Sequence, residues 1–282
     1  MILVTGAAGK TGWAIIRALA RRGESVRAMV RRAEQVASLE AIGATEVILG
    51  DLLDGSAVHR AVHGVQAIYH IAPNVSPHEV TIGERVITAA RFAGVEHFVF
   101  HSVLHPQVEA MPHHWLKMRV EELLFASGLF FTILQPSAYM QNMLAYLDAI
   151  REQGVYKIPY PPHTRLSLID LEDLAEAAAI ILSEPEWRNA TLELVGTSGL
   201  SQQEIAHTLG RQLSRPVEAE AIPIETWQAN ARSAGLGEYQ IETLSKMFAY
   251  YAQHGLVGSP RVLGCLLKRE PTSFEEFVER TI

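Results

Sequence analysis

The amino-acid sequence predicts an α/β fold built on a doubly wound, parallel β-sheet with helices on both faces. Apolar strand-like runs alternate with helix-like segments from the N-terminus to Leu134, as in repeated βαβ units. The runs are almost continuously apolar, which is expected of parallel strands that are buried on both faces. A glycine also falls between each helix-like segment and the next strand, where a left-handed C-cap would end the helix, at Gly23, Gly43, Gly64, Gly94 and Gly128.

The hydrophobic pattern places each element of this sheet in order. The six predicted strands are Ile2–Val4, Ser25–Val30, Thr45–Leu49, Gln66–Ile71, Glu96–His101 and Leu129–Leu134. One helix follows the first strand, and the next four are predicted at Ala33–Ile42, Ala57–Val62, His78–Ala93 and Pro112–Ser127. The segment Gln135–Ser137 is expected to break the sixth strand.

Beyond Ser137 the predicted elements become shorter and less regular. We expect a larger Rossmann-type domain at residues 1–183 and a smaller α+β lobe at residues 184–282 over the ligand cleft, with residues 137–163 contributing to the lobe. The elements predicted here are a helix at Tyr139–Ile150, strands at Arg165–Ile169, Thr191–Val195 and Val217–Ala221, a helix capped by Asp170–Asp173, a helix opened by the capping box Ser201–Glu204, and helices at Ile224–Ala234, Tyr239–His254 and Ser273–Thr281.

The composition is that of an ordinary globular chain. Of the 282 residues, 48% are hydrophobic and 20% are charged. The formal net charge of −7 argues against a nucleic-acid partner, which usually requires a basic surface. Cys265 is the one cysteine, so no intramolecular disulfide or thiolate metal cluster is expected. With no basic leader and no apolar run of about 20 residues, a cytoplasmic protein without a membrane partner is expected.

The stretch that ends at Gly12 carries the strongest functional motif. The apolar strand Ile2–Val4 is followed by three regularly spaced glycines and an apolar-periodic helix. In such a loop the first glycine permits the turn, the second admits a pyrophosphate close to the backbone, and the third allows close helix packing. The helix N-terminus would favour the negative charge. The residues expected to contact the phosphates are Gly6, Ala8, Gly9, Lys10, Thr11 and Gly12.

Two other structures could use the same glycines. The spacing G-x-x-G-x-x-G differs from the usual dinucleotide fingerprint, so a plain strand–helix turn is one alternative. Gly9-Lys10-Thr11 matches the end of a P-loop, but the first glycine of that motif would have to stand at Val4. Kinases and ATPases are therefore excluded.

The end of the second strand indicates which dinucleotide the loop would bind. NAD sites carry Asp or Glu about 20 residues beyond the glycines, where the carboxylate binds the ribose 2′-hydroxyl. Here Arg31 and Arg32 stand in that region without an acid. Guanidinium groups suit the 2′-phosphate, so NADP(H) is expected rather than NAD(H). A solvated arginine pair is the alternative.

Two further strand ends are candidate cofactor contacts. Asp51 could accept a hydrogen bond from the adenine amino group, with Leu52 behind the ring, and it could equally cap the next short helix. After the fourth strand, small or apolar residues would let the ribose and pyrophosphate lie against the backbone, at Ile71, Ala72 and Pro73.

The order of these motifs resembles the NmrA-like branch of the atypical short-chain dehydrogenases/reductases over nearly the whole chain. The matching segments are Thr5–Gly12, Val26–Arg31, Gly50–Asp51, Leu134–Asn142, Ile169–Asp173, Leu194–Thr197 and Leu200–Ala206. The resemblance implies NADP(H) in the glycine cleft, with Arg31 at the 2′-phosphate. It also implies that Gln135, Pro136 and Ser137 lie along the nicotinamide. Family members include quinone reductases, triphenylmethane-dye reductases, phenylpropanoid reductases and non-catalytic redox sensors.

One position departs from the wider superfamily, whose usual acid is a Tyr four residues before a Lys. Lys117 is the matching lysine, and His113 stands where the Tyr would be. We expect the two to share a helix face, with His113 as a candidate general acid and Lys117 on the nicotinamide ribose. A solvated or capping role is the alternative for His113. Ser102 falls where the superfamily's catalytic Ser often lies.

The remaining histidines do not predict a metal site. His59 and His63 are one helical turn apart, and His97, His101 and His105 are evenly spaced, but neither set has a convergent third ligand. Core packing or the wall of an apolar substrate pocket is expected for Trp115, Tyr139, Met140, Met143, Tyr146, Tyr160 and Trp227.

The sequence thus predicts an NADP(H)-dependent oxidoreductase that passes hydride to a small, apolar, electron-poor substrate such as a quinone. Loss of the Tyr argues against alcohol/ketone chemistry and against nucleotide-sugar epimerases, whereas quinone reduction can take its proton from solvent. A non-catalytic NADP(H)-binding redox sensor, acting through a regulatory protein partner, is the alternative. A monomer or a homodimer is expected.

Overall fold

The computed structural model describes every residue, Met1–Ile282. Its strands are β1 (Ile2–Val4), β2 (Val26–Val30), β3 (Glu46–Leu49), β4 (Ala67–His70), β5 (His97–His101), β6 (Phe131–Pro136), β7 (Ala138–Tyr139), β8 (Val155–Ile158), β9 (Arg165–Leu166), β10 (Leu168–Ile169), β11 (Ala190–Leu194), β12 (Leu200–Ser201) and β13 (Glu218–Ala221). Seven of them form one sheet in the order β11-β6-β5-β4-β1-β2-β3.

The order of this sheet confirms the predicted doubly wound fold. Each pairing among the first six strands is parallel, and β1 lies between β2 and β4. The chain winds outward in both directions from β1, so the strand order reverses between β1 and β4. In open α/β sheets, ligands bind outside the carboxyl ends of the strands at such a reversal.

The helices also follow the predicted alternation with the strands. They are α1 (Lys10–Arg21), α2 (Val36–Ala41), α3 (Gly55–Val62), α4 (Glu79–Ala93), α5 (Pro112–Phe125), α6 (Leu147–Gln153), α7 (Leu171–Ser183), α8 (Gln202–Gln212), α9 (Ile224–Ser233), α10 (Glu238–His254), α11 (Arg261–Leu267) and α12 (Phe274–Thr281). All five glycines predicted to follow helices have positive φ, between +69° and +110°, so this prediction is confirmed. No helix combines the length and apolar character needed to cross a membrane.

The predictions were least accurate between Leu134 and Ile169. β6 continues through Gln135 and ends at Pro136, because a proline in the last strand position sacrifices at most one ladder hydrogen bond. The predicted helix at Tyr139–Ile150 is wrong in part: β7 and a 3₁₀ segment, Met140–Tyr146, precede α6. The predicted strand at Arg165–Ile169 is divided into β9 and β10, which pair with β12 and β7, respectively. The sequence pattern did not indicate β8 or α11.

The chain forms two compact units, and each is built from separate segments. The first contains Met1–Gln107, His114–Gln135 and Leu174–Leu192, and the second contains Val108–His113, Pro136–Asp173 and Glu193–Ile282. The prediction was a domain at residues 1–183 and a lobe at residues 184–282, with residues 137–163 contributing to the lobe.

Each unit has its own hydrophobic core. In the first unit, buried side chains from the strands pack with helices α3, α4 and α5, and examples are Leu3, Ile68, Phe98, Val86 and Val120. In the second unit, buried side chains from the 3₁₀ segment, β8, α8 and α12 pack together, and examples are Met140, Ile158, Leu209, Phe274 and Phe277. Burial of these side chains supplies the main driving force for folding.

Candidate cofactor-binding site

The turn that follows β1 has a conformation that favours glycine. Gly6 has a φ of +62°, in the left-handed region. A Cβ at Gly6 would lie 2.9 Å from both the Cβ and the carbonyl oxygen of Ile71, the residue after β4. The loop therefore lies where the carboxyl ends of β1 and β4 meet, and the turn conformation predicted for Gly6 is confirmed.

Gly12 allows a close approach, but to a different partner from the one expected. A Cβ at Gly12 would lie 2.5 Å from the carbonyl oxygen of Gly6 and 2.6 Å from the Cα of Ala7. The first turn of α1 thus packs on the loop backbone rather than on a strand. At Gly9, in contrast, the nearest atom to an added Cβ is the carbonyl oxygen of Gly6, 3.4 Å away.

The N-terminus of α1 fits an anionic ligand. Gly9 is the N-cap residue, no side chain caps the helix, and the first turn contains no acid. The free backbone N–H groups can therefore donate to phosphate oxygens, which the helix dipole also favours. Of the other predicted phosphate contacts, Ala8 is half-buried, Lys10 is exposed and Thr11 is buried. The loop is suitable for the pyrophosphate of a dinucleotide.

The two arginines after β2 differ in their surroundings. Both are exposed. Arg32 Nε lies 3.4 Å from a carboxylate oxygen of Glu34. Arg31 forms no ion pair within the chain, so its whole guanidinium group is available to a phosphate.

The predicted capping role of Asp51 is wrong. Asp54 caps α3 by accepting a hydrogen bond from the backbone N–H of Ser56, at 2.9 Å. Asp51 Oδ1 instead accepts from the backbone N–H of Leu53, at 2.8 Å, within the preceding turn. Asp51 is exposed and Leu52 is buried, so the proposed adenine contact remains a prediction.

Thr5 ties together the ends of β1 and β4. Its hydroxyl oxygen accepts from the backbone N–H of Ile71, at 2.9 Å, and lies 2.8 Å from Nδ1 of His70. Ile71 is half-buried, Ala72 is buried and Pro73 is exposed. This segment is held next to the glycine loop, and its place beside a bound dinucleotide remains a prediction.

Lys117 is buried on α5 and is engaged by an acid that the sequence analysis missed. Its amine donates to Glu79 Oε1 at 2.9 Å and to the carbonyl oxygen of His101 at 3.1 Å. Glu79 is only 1% exposed, and its Oε2 has no hydrogen-bond partner. As the first residue of α4, Glu79 resembled an ordinary acid in a helical first turn, so its pairing could not be inferred from the sequence.

His113, the other catalytic candidate, lies in the first turn of α5 and is half-buried. It falls in the second unit, whereas Lys117 falls in the first. The next residue, His114, is buried, and its Nδ1 lies 2.9 Å from the carbonyl oxygen of Leu104. Burial lowers the pKa of His114 to about 4. A catalytic role for His113 or Lys117 remains a prediction.

Ser102 and Gln135 converge on a second buried acid, Glu121. The Ser102 hydroxyl donates to Glu121 Oε1. Gln135 Nε2 donates to both carboxylate oxygens, at 3.0 Å and 2.9 Å. Burial raises the pKa of Glu121, whereas the hydrogen bonds and the charge of Lys117 lower it. The spacing of one helical turn from Lys117 was the one sequence feature that could have indicated Glu121.

The last two residues of the predicted nicotinamide segment are also buried. Pro136 ends β6. The backbone N–H of Ser137 donates to the carbonyl oxygen of Leu194, at 3.0 Å. Ser137 Oγ is buried without a hydrogen-bond partner. Such a hydroxyl could bind a ligand or an ordered water.

Three buried histidines of β4 and β5 have structural partners. His101 Nδ1 lies 2.8 Å from the Tyr69 hydroxyl, and His97 Nε2 lies 2.8 Å from the Thr132 hydroxyl. Burial lowers the pKa of His101 and His70 to about 3, with a smaller effect from Lys117. These side chains are therefore neutral and form part of the interior of the first unit.

The candidate pocket aromatics fall mostly in the second unit. Trp227 and Phe248 form an edge-on pair with ring centroids 4.9 Å apart, and Tyr160 lies 5.8 Å from Phe248. Tyr146 packs edge-on against Tyr156, at 5.7 Å. Met140 and Met143 are buried in the core of this unit, while Tyr139 and Trp115 are half-buried, the latter in the first unit.

The strand order and the glycine turn together define a Rossmann-type nucleotide-binding fold. The model of the NmrA-like family matches residues 1–278. The chain therefore belongs to the NmrA-like family.

Relatives of known name match the chain over nearly its full length. An NAD(P)H azoreductase from Xenophilus azovorans is 31% identical over 284 aligned residues, which cover 99% of this chain and 97% of the relative. Quinone oxidoreductase 2 of Escherichia coli is 27% identical, with coverage of 99% and 97%. The crystal structure of an E. coli NADPH-dependent quinone oxidoreductase with NADPH superimposes with a TM-score of 0.88 at 26% identity, covering 99% of both chains.

Proposed function

We propose that this protein is an NADPH-dependent reductase of small, electron-poor molecules such as quinones. The observation that carries the proposal is the full-length similarity to an azoreductase and a quinone oxidoreductase, combined with an intact glycine loop at the end of β1. The azo and quinone groups in those names both accept hydride readily. The substrate is therefore described by this shared chemistry.

The residues around the loop support NADP(H) as the cofactor. The uncapped start of α1 can bind the pyrophosphate, and Arg31 is free to bind the 2′-phosphate. When bound, the cofactor would supply the hydride. Gln135, Pro136 and Ser137 would flank the nicotinamide, as the family resemblance implies.

The source of the proton follows from the state of the candidate acids. Lys117 is held by Glu79 and the carbonyl oxygen of His101, and the Ser102 proton is directed at Glu121. Neither group is arranged to give a proton to a substrate oxygen, which leaves His113 as the one candidate acid on the protein. Quinone reduction can take this proton from water, so the proposal requires no acid on the protein.

Turnover with a substrate panel tests the proposal. The protein is mixed with NADPH and, separately, with quinones, azo dyes, triphenylmethane dyes and aldehydes, and the absorbance of the reduced nicotinamide is followed. We expect oxidation of NADPH with quinones or dyes and none with aldehydes. Tight NADPH binding without turnover on any compound would contradict the reductase proposal.

A redox sensor is the second candidate function. It is favoured by His113 in place of the Tyr and by the engagement of Lys117 with Glu79. A sensor would bind NADP(H) and a regulatory protein without consuming NADPH. Its test is whether a protein captured from the native host associates only with the NADP⁺-bound or only with the NADPH-bound form. Cytoplasmic location and a monomeric or homodimeric state remain predictions.

A further inference from the structure

Ser102, Glu121 and Gln135 form a buried polar cluster at the carboxyl ends of β5 and β6. The two strands are parallel neighbours, and the backbone N–H of Ser102 donates to the carbonyl oxygen of Leu134, at 2.8 Å. Ser102 and Glu121 are each 2% exposed, and Gln135 is 7% exposed. Because this edge of the sheet is where ligands bind, the groups that the cluster leaves unused determine what it can recognise.

The hydrogen bonds within the cluster use up its donors. A serine hydroxyl has one proton, and that of Ser102 is given to Glu121 Oε1. Gln135 directs its amide nitrogen to both oxygens of the same carboxylate. What remains is the lone pairs of Ser102 Oγ and the carbonyl oxygen, Oε1, of Gln135. Gln135 Oε1 accepts no hydrogen bond within the chain. It is also not one of the fully buried polar atoms that lack a hydrogen-bond partner.

We infer that Glu121 is a positioning residue that converts Ser102 and Gln135 into a pair of hydrogen-bond acceptors, and that this pair selects the amide N–H₂ group of a nicotinamide. The inference rests on the proposed function, since it takes the nicotinamide cofactor as the ligand. A carboxamide nitrogen carries two donors, which match two acceptors. A ketone oxygen at the same place would face only lone pairs.

The hydrogen bonds around Glu121 favour its accepting form. Three donor contacts converge on its two oxygens, and hydrogen bonds to an ionised carboxylate stabilise the charge. Burial has the largest effect on the pKa of Glu121 and raises it, whereas these hydrogen bonds and the charge of Lys117, one helical turn earlier on α5, lower it. A protonated Glu121 could instead donate to Ser102, which would reverse the polarity of the hydroxyl.

The test compares two cofactors that differ only at the carboxamide. In the 3-acetylpyridine analogue of NADP⁺, a methyl ketone replaces the amide, so the N–H₂ donors are absent. Dissociation constants for NADP⁺ and this analogue are measured by calorimetry on the intact protein, without substrate. We expect the wild-type protein to bind the analogue about tenfold more weakly, because the acceptors would lose their partners. Equal affinities would overturn the inference.

Two substitutions on the same helix provide the variant and its matched control. In Glu121→Gln the new amide can donate to Ser102 Oγ and free the serine proton, so we expect the two affinities to come within about twofold of each other. Glu122→Gln changes the next residue, whose exposed carboxylate pairs with Arg119 instead, and should keep the tenfold preference. A folded Glu121→Gln protein that retains the full preference would also overturn the inference.

Further variants keep the test decisive if Glu121→Gln does not fold. Ser102→Ala and Gln135→Met each remove one acceptor, and each should reduce the preference to about threefold. An unchanged preference in both would contradict the assignment. If the wild-type protein binds neither NADP⁺ nor NADPH, the proposed function fails together with this inference. If it binds NADP⁺ and the analogue equally, only this inference fails.

Discussion

The glycine loop after β1 and the buried polar cluster around α5 lie in the same unit but are built in opposite ways. The loop consists mainly of backbone, and its glycines leave helix N–H groups open to a ligand. The groups around α5 are side chains from α4, α5, β5 and β6 that hydrogen-bond to one another, as in Lys117 with Glu79 and Gln135 with Glu121, and they leave only a few atoms, such as Gln135 Oε1, for a ligand. We therefore expect substitution of Gly9 or Arg31 to affect mainly binding, and substitution of Lys117 to affect mainly folding.

Replacement of Lys117 by Met should cause the largest loss of stability. The substitution leaves Glu79 buried and without its cationic partner, and the loss of one member of a buried ion pair costs about 3–5 kcal/mol. Urea unfolding monitored by circular dichroism measures the change. Lys246→Met is the control, because that lysine forms an exposed pair with Glu242 and should cost below about 1 kcal/mol.

The double variant Lys117→Met/Glu79→Leu separates the two possible reasons for that loss. If the uncompensated charge of Glu79 is the cause, removal of both charges should restore most of the stability. A double variant as unstable as Lys117→Met would mean that packing of the lysine stem matters more than its charge.

Within the loop, Gly12→Ala should mainly lower the stability of the protein, whereas Gly9→Ala should mainly lower its affinity for NADPH. At Gly12 the new Cβ would overlap the carbonyl oxygen of Gly6, and we expect a loss of about 3 kcal/mol in the free energy of unfolding. At Gly9 the Cβ has room in the protein, so thermal stability should change little while NADPH affinity falls. Calorimetric titration and a thermal melt of each variant provide the comparison. Equal melting temperatures for the two variants would refute it.

The ease of predicting the two regions from sequence also differs. Gly6, Gly9 and Gly12 were recognisable because a phosphate-binding turn is contiguous in the chain, and its positions follow from local geometry. The alternation of strands and helices was predictable for the same reason, since each βα unit has its own hydrophobic pattern and glycine cap. Position indicated both Arg31 and Arg32, the family resemblance assigned the 2′-phosphate to Arg31, and the structure shows that Arg32 lies near Glu34.

The partners of the buried cluster could not be inferred in this way. Glu79 and Glu121 belong to different helices, and apart from the one-turn spacing between Lys117 and Glu121, nothing local distinguishes these two acids from the others in the chain. Their burial depends on how distant segments pack. The same limitation explains why Gln135–Ser137 was taken as a strand break: proline is unfavourable within a strand, but it is tolerated at the strand's last position.

Arg31→Ala tests the side chain that is proposed to bind the 2′-phosphate of the cofactor. A charged hydrogen bond to the 2′-phosphate is worth about 2 kcal/mol, so NADP⁺ should bind about 30-fold more weakly while NAD⁺ binding changes little. Arg32→Ala is the matched control, because Arg32 lies near Glu34 and should contribute less. If Arg32→Ala weakens NADP⁺ binding more than Arg31→Ala does, the assignment of the 2′-phosphate to Arg31 is wrong.

Of these substitutions, His97→Asn should have the smallest effect on stability. The effect is a change in how the free energy of unfolding depends on pH. Burial, with a smaller contribution from Arg188, lowers the pKa of His97 to about 4 in the folded protein, from 6.5 ordinarily. The unfolded chain therefore takes up a proton below about pH 6.5 that the folded chain refuses until about pH 4. Stability due to this residue is lost as the pH falls through that range, by about 1.2 kcal/mol between pH 7 and pH 5.5.

Urea unfolding at several pH values measures this contribution as a slope. Because the variant cannot take up that proton, its stability should fall less steeply than that of the wild type between pH 7 and pH 5.5, whatever its stability at pH 7. Parallel slopes for His97→Asn and the wild type would mean that His97 does not remain neutral in the folded protein, and that the interior at the amino end of β5 tolerates charge.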